Sequence, residues 1–319
     1  MDEQQPFFIV GSPRSGTKLL RDLLRSHPHL AIPWETHFIV RFYQLYGNPQ
    51  TDAEAINIVQ AISKTIHFKR WQISIQFKNF AHFRNYGQII HELYSLYAQK
   101  EGKQRWGDKT PRYVLNIPIL YKIFPNCKII HIIRDGRDVA LSGLGLKYCP
   151  NNIPCAALSW KKFVLAGRQG AQSIPSHQYL EVFYEDLLKN PSTVMKKICE
   201  FIGEPFTEEV TIASEQKIKT PHIIKKTPIH ASNIAKWKTK MTSYQLKLFN
   251  TIAGDLLASL GYETTEEKAY ISPIHWTWFW FHDKFFKVIN TLGRPKEIIQ
   301  NYLYYFLIDL KTKLKKSKS

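Results

Sequence analysis

Pro6-Phe7-Phe8-Ile9-Val10-Gly11-Ser12-Pro13-Arg14-Ser15-Gly16-Thr17-Lys18-Leu19-Leu20 reads as a buried strand that runs through a glycine-framed turn into a helix. Two glycines five apart let the backbone curl tightly. The N–H groups of the turn and of the first helical residues then converge on one anion, aided by the positive end of the helix dipole. That is the logic of a phosphate-binding loop. A nucleotide triphosphatase loop ends GKS or GKT, with the hydroxyl on magnesium. Here Gly16 is followed by Thr17 and then Lys18, so an ammonium stands where the metal ligand would be, and the loop is expected to hold its anion without magnesium.

A second apolar run, Lys128-Ile129-Ile130-His131-Ile132-Ile133, empties into Arg134-Asp135-Gly136-Arg137-Asp138-Val139-Ala140-Leu141-Ser142. Ligands of open α/β sheets sit beyond the carboxyl ends of the strands, which is where Arg134 falls. Ion pairing within a helix cap explains the same charges equally well.

Together these segments resemble the sulfotransferases that use 3′-phosphoadenosine-5′-phosphosulfate (PAPS), among them the tyrosylprotein sulfotransferases and their bacterial relatives. The resemblance implies that the first loop, through Ser12, Pro13, Arg14, Ser15, Gly16, Thr17 and Lys18, grips the 5′-phosphosulfate. It implies that Arg134 and Ser142 grip the 3′-phosphate. Trp34-Glu35-Thr36-His37 resembles the segment carrying the catalytic base, which points to Glu35, and Gly107-Asp108-Lys109-Thr110-Pro111 resembles the segment carrying a lysine that stabilises the transition state, which points to Lys109. Tyr184 in Phe183-Tyr184-Glu185-Asp186-Leu187, and Lys236-Trp237 after Pro228, resemble later cofactor contacts. The matches run from residue 6 to residue 237. Two positions depart from the pattern: Lys18 replaces a threonine, and the late serine near the sulfuryl group has no counterpart around Thr220 and Pro221.

The implied chemistry can be argued from charge. A sulfuryl group in transfer carries little negative charge, so Arg14, Lys109 and backbone N–H groups can balance it, whereas phosphoryl transfer usually recruits magnesium. The acceptor hydroxyl must lose its proton as the bond forms. Glu35, with its pKa raised by partial burial, is the expected base, and His37 is the competing one. Acceptor classes open to this chemistry are carbohydrate, lipid, phenol and tyrosine peptide. A P-loop kinase and a non-enzymatic adaptor for anionic surfaces are the rival readings.

The remainder of the chain fits a globular enzyme. With 319 residues, 44% of them hydrophobic, it can bury one substantial core. The alternation of strand-like runs with helical patterns predicts an α/β fold, a P-loop-type parallel sheet flanked by helices, with a catalytic domain over 1–268 and a helical, aromatic and basic extension over 269–319. Helices are expected over Ile89–Tyr97, Val114–Phe124, Asn190–Ile202 and Tyr244–Leu260, and a short strand over Leu180–Phe183. The acidic start and the lack of a long apolar segment suggest a cytoplasmic protein, peripheral to a membrane if the tail binds one. Cys127, Cys149, Cys155 and Cys199 show no CxxC pairing and read as reduced thiols, and the histidines offer no HExxH spacing, so no resident metal is expected.

The formal net charge of +18 favours anionic partners. No nucleic-acid module is visible and none is expected as a partner, which leaves the donor and an anionic membrane surface. Between Glu54 and Glu92, basic residues (Lys64, Lys69, Arg70, Lys78, Arg84) alternate with aromatics (Phe68, Trp71, Phe77, Phe80, Phe83, Tyr86). This is either an acceptor-contacting segment or a solvated face over core aromatics.

Overall fold

The computed structural model describes residues 5–216, 224–227, 233–292 and 295–317. The positions expected near the sulfuryl group around Thr220 and Pro221, and Pro228, lie outside them. Strands β1 (Phe7–Gly11), β2 (Leu30–Ala31), β3 (Arg105–Lys109), β4 (Lys128–Ile133) and β5 (Tyr179–Phe183) form one sheet in the order β2-β3-β1-β4-β5, with parallel pairing throughout. Parallel strands need long crossovers, and helices supply them. Helix α1 (Thr17–Arg25) joins β1 to β2, and α2 (Phe38–Tyr46), α3 (Asp52–Ser63), α4 (Ile66–Lys69) and α5 (Tyr86–Lys100) fill the step to β3. Next come α6 (Ile117–Ile123) before β4, then α7 (Gly136–Gly143) and α8 (Ile153–Ala171) before β5. Helices α9 (Tyr184–Lys189) and α10 (Pro191–Ile202) precede an antiparallel pair, β6 (Ala213–Gln216) and β7 (Ile224–Thr227). The chain continues through α11 (Trp237–Lys240), α12 (Ser243–Ser259), α13 (Pro273–Leu292) and α14 (Lys296–Lys316).

Alternation along β1 splits the core. Phe7 and Ile9 pack with Leu20, Leu23 and Leu24 of α1 and Ile198 of α10, while Phe8 and Val10 face the aromatic core of α2, α3 and α5. Burial on both faces explains why β1 reads as an unbroken apolar run and why β4 is apolar apart from Lys128 and the buried His131. β3 is just as buried yet reads Arg-Trp-Gly-Asp-Lys. Its charges find internal partners: Arg105 donates to the carbonyls of Gln5 and Ile202 and pairs with Glu204, and Asp108 accepts at one oxygen from Tyr94 and Thr36.

The segment rich in aromatics and cations resolves into the second of its two readings. Phe68, Trp71, Phe80 and Tyr86 are core residues, while Lys64, Lys69, Arg70, Lys78 and Arg84 lie exposed over them. The C-terminal extension is helical and folds back on the body. Tyr305 and Ile308 of α14 join the core that contains Phe38 and Phe42 of α2, and α13 packs on α8. The four cysteines are free thiols.

Gly16 shows how tightly the first loop is built. It sits at φ +96°, and a Cβ there would lie 2.3 Å from the Tyr184 ring. Gly16→Ala is therefore expected to destabilise the protein by about 1 to 3 kcal/mol through overpacking, with left-handed strain adding to it. Urea denaturation measures this, and an unchanged midpoint would show that Tyr184 does not close over the loop.

Candidate active site

The strand order sets out the chemistry in a row. From one edge of the sheet to the other, the carboxyl ends lead into Glu35 (after β2), Lys109 (the end of β3), the Ser12–Gly16 loop (after β1), Arg134 (after β4) and Tyr184 (after β5). The chain leaves β1 towards β2 and β3 and returns to pair β4 on the other side. The loops after β1 and β4 therefore diverge and open a crevice.

Helix α1 begins at the loop with no acid in its first turn and no side-chain cap among the described residues. Its first N–H groups are thus left for an anion. Arg14, in the left-handed region at φ +75°, reaches across the crevice, donating from Nε to Ser142 Oγ at 3.0 Å and from Nη1 to the Tyr148 hydroxyl at 3.3 Å. Ser142 accepts that bond, so its own proton remains available to an anion. Ser12, Ser15 and Thr17 are buried in the turn beside Pro13. Lys18 is not brought to the others: its ammonium lies on the outer face of α1, 3.1 Å from Asp22, so the ammonium read as replacing a metal ligand does not enter the loop. The reason is helical geometry, since the residue after buried Thr17 points about 100° away from it.

Arg134 is 8% exposed and lies 4.5 Å above the Tyr184 ring. Its Nη1 donates to the Arg14 carbonyl, and its Nη2 donates to the Asn233 carbonyl at 2.8 Å and pairs with Asp138 at 3.5 Å. Its Nε finds no partner among the described residues. A buried donor left over costs about 1 to 3 kcal/mol, a cost an incoming anion would relieve. Lys236 is tied to this cluster through the Asn233 side chain. The neighbouring charges do form the helix cap that the sequence also allowed. Asp135 caps α7 and holds Arg137 through two bonds, Arg137 lies 3.5 Å from the Trp237 ring centre, and Asp138 accepts from the Trp237 N–H. Glu185 accepts from the Asp135 N–H and so fixes the turn that follows Arg134.

At the other end, Glu35 is held by two partners. Oε1 receives Lys109 Nζ at 2.7 Å and Oε2 lies 3.1 Å from His37 Nε2. The adjoining Thr36 is anchored at its N–H by Thr110, at its hydroxyl by Asp108 and at its carbonyl by the Tyr305 hydroxyl of α14. Arg21 of α1 donates to the carbonyls of Ile32 and Pro33 and stacks on Trp34. Burial pushes the Glu35 carboxyl up, but the hydrogen bond from His37 and the Lys109 charge outweigh it and hold it at about 2. This corrects the expectation of a raised pKa: partial burial is real, but the hydrogen bond from His37 and the Lys109 ammonium dominate it. Lys109, 3% exposed, is drawn below the usual lysine range by burial, with Glu35 opposing.

A small cleft of about 40 Å³ lies against this row, with Ser12, Pro13 and Arg14 on one wall and Arg112, Tyr148 and Phe163 on others. Arg112 and Tyr148 escaped sequence reading. Arg112 stands three residues after Lys109, within the same motif, and that adjacency was the available signal; Tyr148 lies in an irregular loop that carries none. Among the described residues, His27, His29 and Glu204 group closely enough to share an ion. They lie at the opposite end of β2, and both ring nitrogens of His27 are already bonded to backbone groups.

A sequence profile described as "Sulfotransferase family" matches residues 6–208. Protein-tyrosine sulfotransferase A of Caenorhabditis elegans is 25% identical over 332 residues, covering 93% of this chain and 80% of that protein. The nodulation protein NoeE of Sinorhizobium fredii is 24% identical, covering 82% of this chain and 67% of the other. Among solved structures, the sulfotransferase domain from the curacin biosynthetic pathway superposes with a TM-score of 0.56 at 22% identity, over 82% of this chain and 99% of that domain. This last likeness speaks for the fold.

The pair gives a prediction with a definite sign. Because the folded pKa of Glu35 is depressed from 4.5 to about 2, the pair stabilises the protein above pH about 4.5 and loses that contribution as pH falls towards 2. In urea unfolding series the parent is expected to exceed Glu35→Gln in stability at neutral pH, and the gap should close across that acid window. A gap independent of pH would mean that the carboxylate gains nothing from Lys109.

Proposed function

The chain belongs to the sulfotransferase family, and on that premise we propose that it moves a sulfuryl group from PAPS to an acceptor hydroxyl by in-line transfer, with Glu35 as the base. The observation that carries this reading is the row of groups along the sheet edge: a carboxylate paired to a buried lysine on one side of the anion loop, and a buried arginine with an N–H unpartnered among the described residues on the other. Both phosphate ends of the donor thus have a chemically suitable place. The N–H groups at the start of α1 and Arg14 suit the 5′-phosphosulfate, while Arg134 Nε and the Ser142 hydroxyl suit the 3′-phosphate, with Tyr184 and Lys236 beside them.

In this reading the acceptor oxygen attacks sulfur as its proton passes to Glu35. The bond between sulfur and the bridging oxygen breaks, and adenosine 3′,5′-bisphosphate leaves. Arg14, Lys109 and the loop N–H groups balance the charge that develops on the bridging and equatorial oxygens, with no metal ion required.

The Glu35–Lys109 bond gives the site an order of events. With its pKa near 2, Glu35 is a weak base while it is paired. A sulfuryl group bound at the loop offers Lys109 a second anion, and every fraction of the ammonium charge drawn towards it lets the Glu35 carboxyl rise. Basicity is therefore greatest when the donor is in place, and idle proton transfer is suppressed before that.

Two measurements test this. Calorimetry is expected to give adenosine 3′,5′-bisphosphate at least about tenfold tighter binding than 5′-AMP, since a hydrogen bond to a charged group contributes about 1.5 to 3 kcal/mol. Equal affinities would remove the 3′-phosphate site. Glu35→Gln is expected to bind the bisphosphate like the parent and to lose a factor of about 10² to 10⁴ in turnover on a sulfated acceptor; turnover within a few-fold of the parent would transfer the base role to His37 or solvent.

A further inference from the structure

Helices α13 and α14 each carry two apolar faces, and each uses one face to dock. On α13 the docked face holds Trp276, Phe279 and Asp283, where Asp283 accepts from the Asn151 N–H and the Phe279 carbonyl accepts from Asn152. The opposite stripe, Ile274, Trp278, Phe281, Phe285 and Val288, repeats at intervals of four and three and stands in solvent, with Trp278 61% and neighbouring Trp280 60% exposed. On α14 the docked face holds Tyr305, Ile308 and Thr312, while Leu303, Phe306, Leu307, Leu310 and Leu314 face outward. A helix apolar on both sides belongs in a buried place, and soluble proteins rarely leave such stripes uncovered.

We propose that these two outward stripes seat the protein on an anionic lipid bilayer surface, with the active-site cleft at the lipid–water boundary. Three observations select a bilayer over other occupants. The stripes are rich in tryptophan and phenylalanine, whose rings suit the headgroup boundary. Cations sit within a turn of them: Lys284 follows Trp280 and Phe281, and Lys311 lies between Leu307 and Leu314. The acids of the two helices are Asp283, Glu297 and Asp309. Asp283 is paired with Lys287 and Asp309 with Arg41, so the outward charge is cationic and complements anionic headgroups. A second copy of the chain would bring the same lysines face to face. No helix among the described residues is long and apolar enough to cross a membrane.

The two helices are tied to the site through hydrogen bonds. Asp283 holds the turn after Cys149 and Pro150, which line it, and α14 anchors Thr36 beside Glu35 through Tyr305. A bilayer against both stripes would bring membrane-held hydroxyls within range of Glu35. This specifies the acceptor class as amphiphilic or lipid-linked, and it rests on the sulfotransferase reading; seating on the membrane does not.

The test is flotation of the full chain with vesicles of phosphatidylcholine containing about 30% phosphatidylglycerol, against phosphatidylcholine alone. The parent is expected to float with the anionic vesicles. The variant combining Trp278→Gln, Phe281→Gln and Phe285→Gln, and a second combining Leu303→Gln, Phe306→Gln and Leu310→Gln, are each expected to lose about tenfold or more in partitioning. Because these side chains face solvent, melting temperature and adenosine 3′,5′-bisphosphate binding should be unchanged in both, which separates loss of seating from loss of the donor site. A parent that stays at the bottom of the gradient, or variants that float as well as the parent, would overturn the proposal. So would a stable dimer of the parent, seen by sedimentation without vesicles, that the variants dissociate. None of these outcomes depends on turnover, so they leave the transfer reading to its own tests.

Discussion

A buried guanidinium, one of whose N–H groups has no partner among the described residues, is the constraint around which this molecule is arranged. Burying a charge without partners is prohibitive, and Arg134 collects its partners from four separate pieces of chain: the anion loop at Arg14, helix α7 at Asp138, the segment at Asn233 and the face of Tyr184. Each is held in turn by something else. Glu185 fixes the turn, Trp237 locks on Arg137, and Gly16 makes room for the Tyr184 ring. Its Nε, without a partner among the described residues, is left as a buried donor that an anion reaching it would satisfy. Stability and recognition here draw on the same set of bonds.

The opposite side of the crevice is built on a complementary principle. Glu35 and Lys109 neutralise each other in an environment that would tolerate neither alone, and Asp108, Thr36 and Tyr113 supply the rigid footing. On the proposed reading, a base kept this acidic is inert until its cation has a better anion to face, which would couple donor binding to base activation through one lysine. The parallel sheet makes the coupling short-ranged: β3 lies directly beside β1, so the lysine ending one strand neighbours the loop ending the other. The C-terminal helix enters the same network through Tyr305, which stacks near His67 and bonds the Thr36 carbonyl, so the extension shapes the site as well as the surface.

Much of this was readable in the chain, and for identifiable reasons. β1 and β4 are buried on both faces and therefore spell largely apolar runs, and the glycines of the loop are demanded by a positive φ and a ring contact. Helix α10 ends at Gly203 in the left-handed conformation, and α12 opens with a Thr242–Gln245 capping box and is followed by Gly261. β3 was legible as a motif but not as a strand, because its burial is polar and its satisfaction comes from residues as distant as Gln5 and Glu204. The Glu35 pKa is not legible because burial can be guessed from a sequence, whereas the His37 hydrogen bond and the Lys109 charge that override it are brought in by folding. Lys18 failed for a simpler reason: adjacency in sequence puts a helical neighbour on another face. The basic aromatic segment could not be decided from composition, since core aromatics beneath exposed lysines spell the same letters as a binding face.

The central claim, that the crevice between the loops after β1 and β4 is a two-ended phosphate site, is tested most directly by a crystal structure of the protein with adenosine 3′,5′-bisphosphate. The account predicts the 5′-phosphate on the N–H groups at the start of α1 and the 3′-phosphate within hydrogen-bond distance of Arg134 Nε and the Ser142 hydroxyl. A nucleotide found instead in the cleft beside Trp237 and Tyr262, or one whose 3′-phosphate points into solvent away from Arg134, would contradict it.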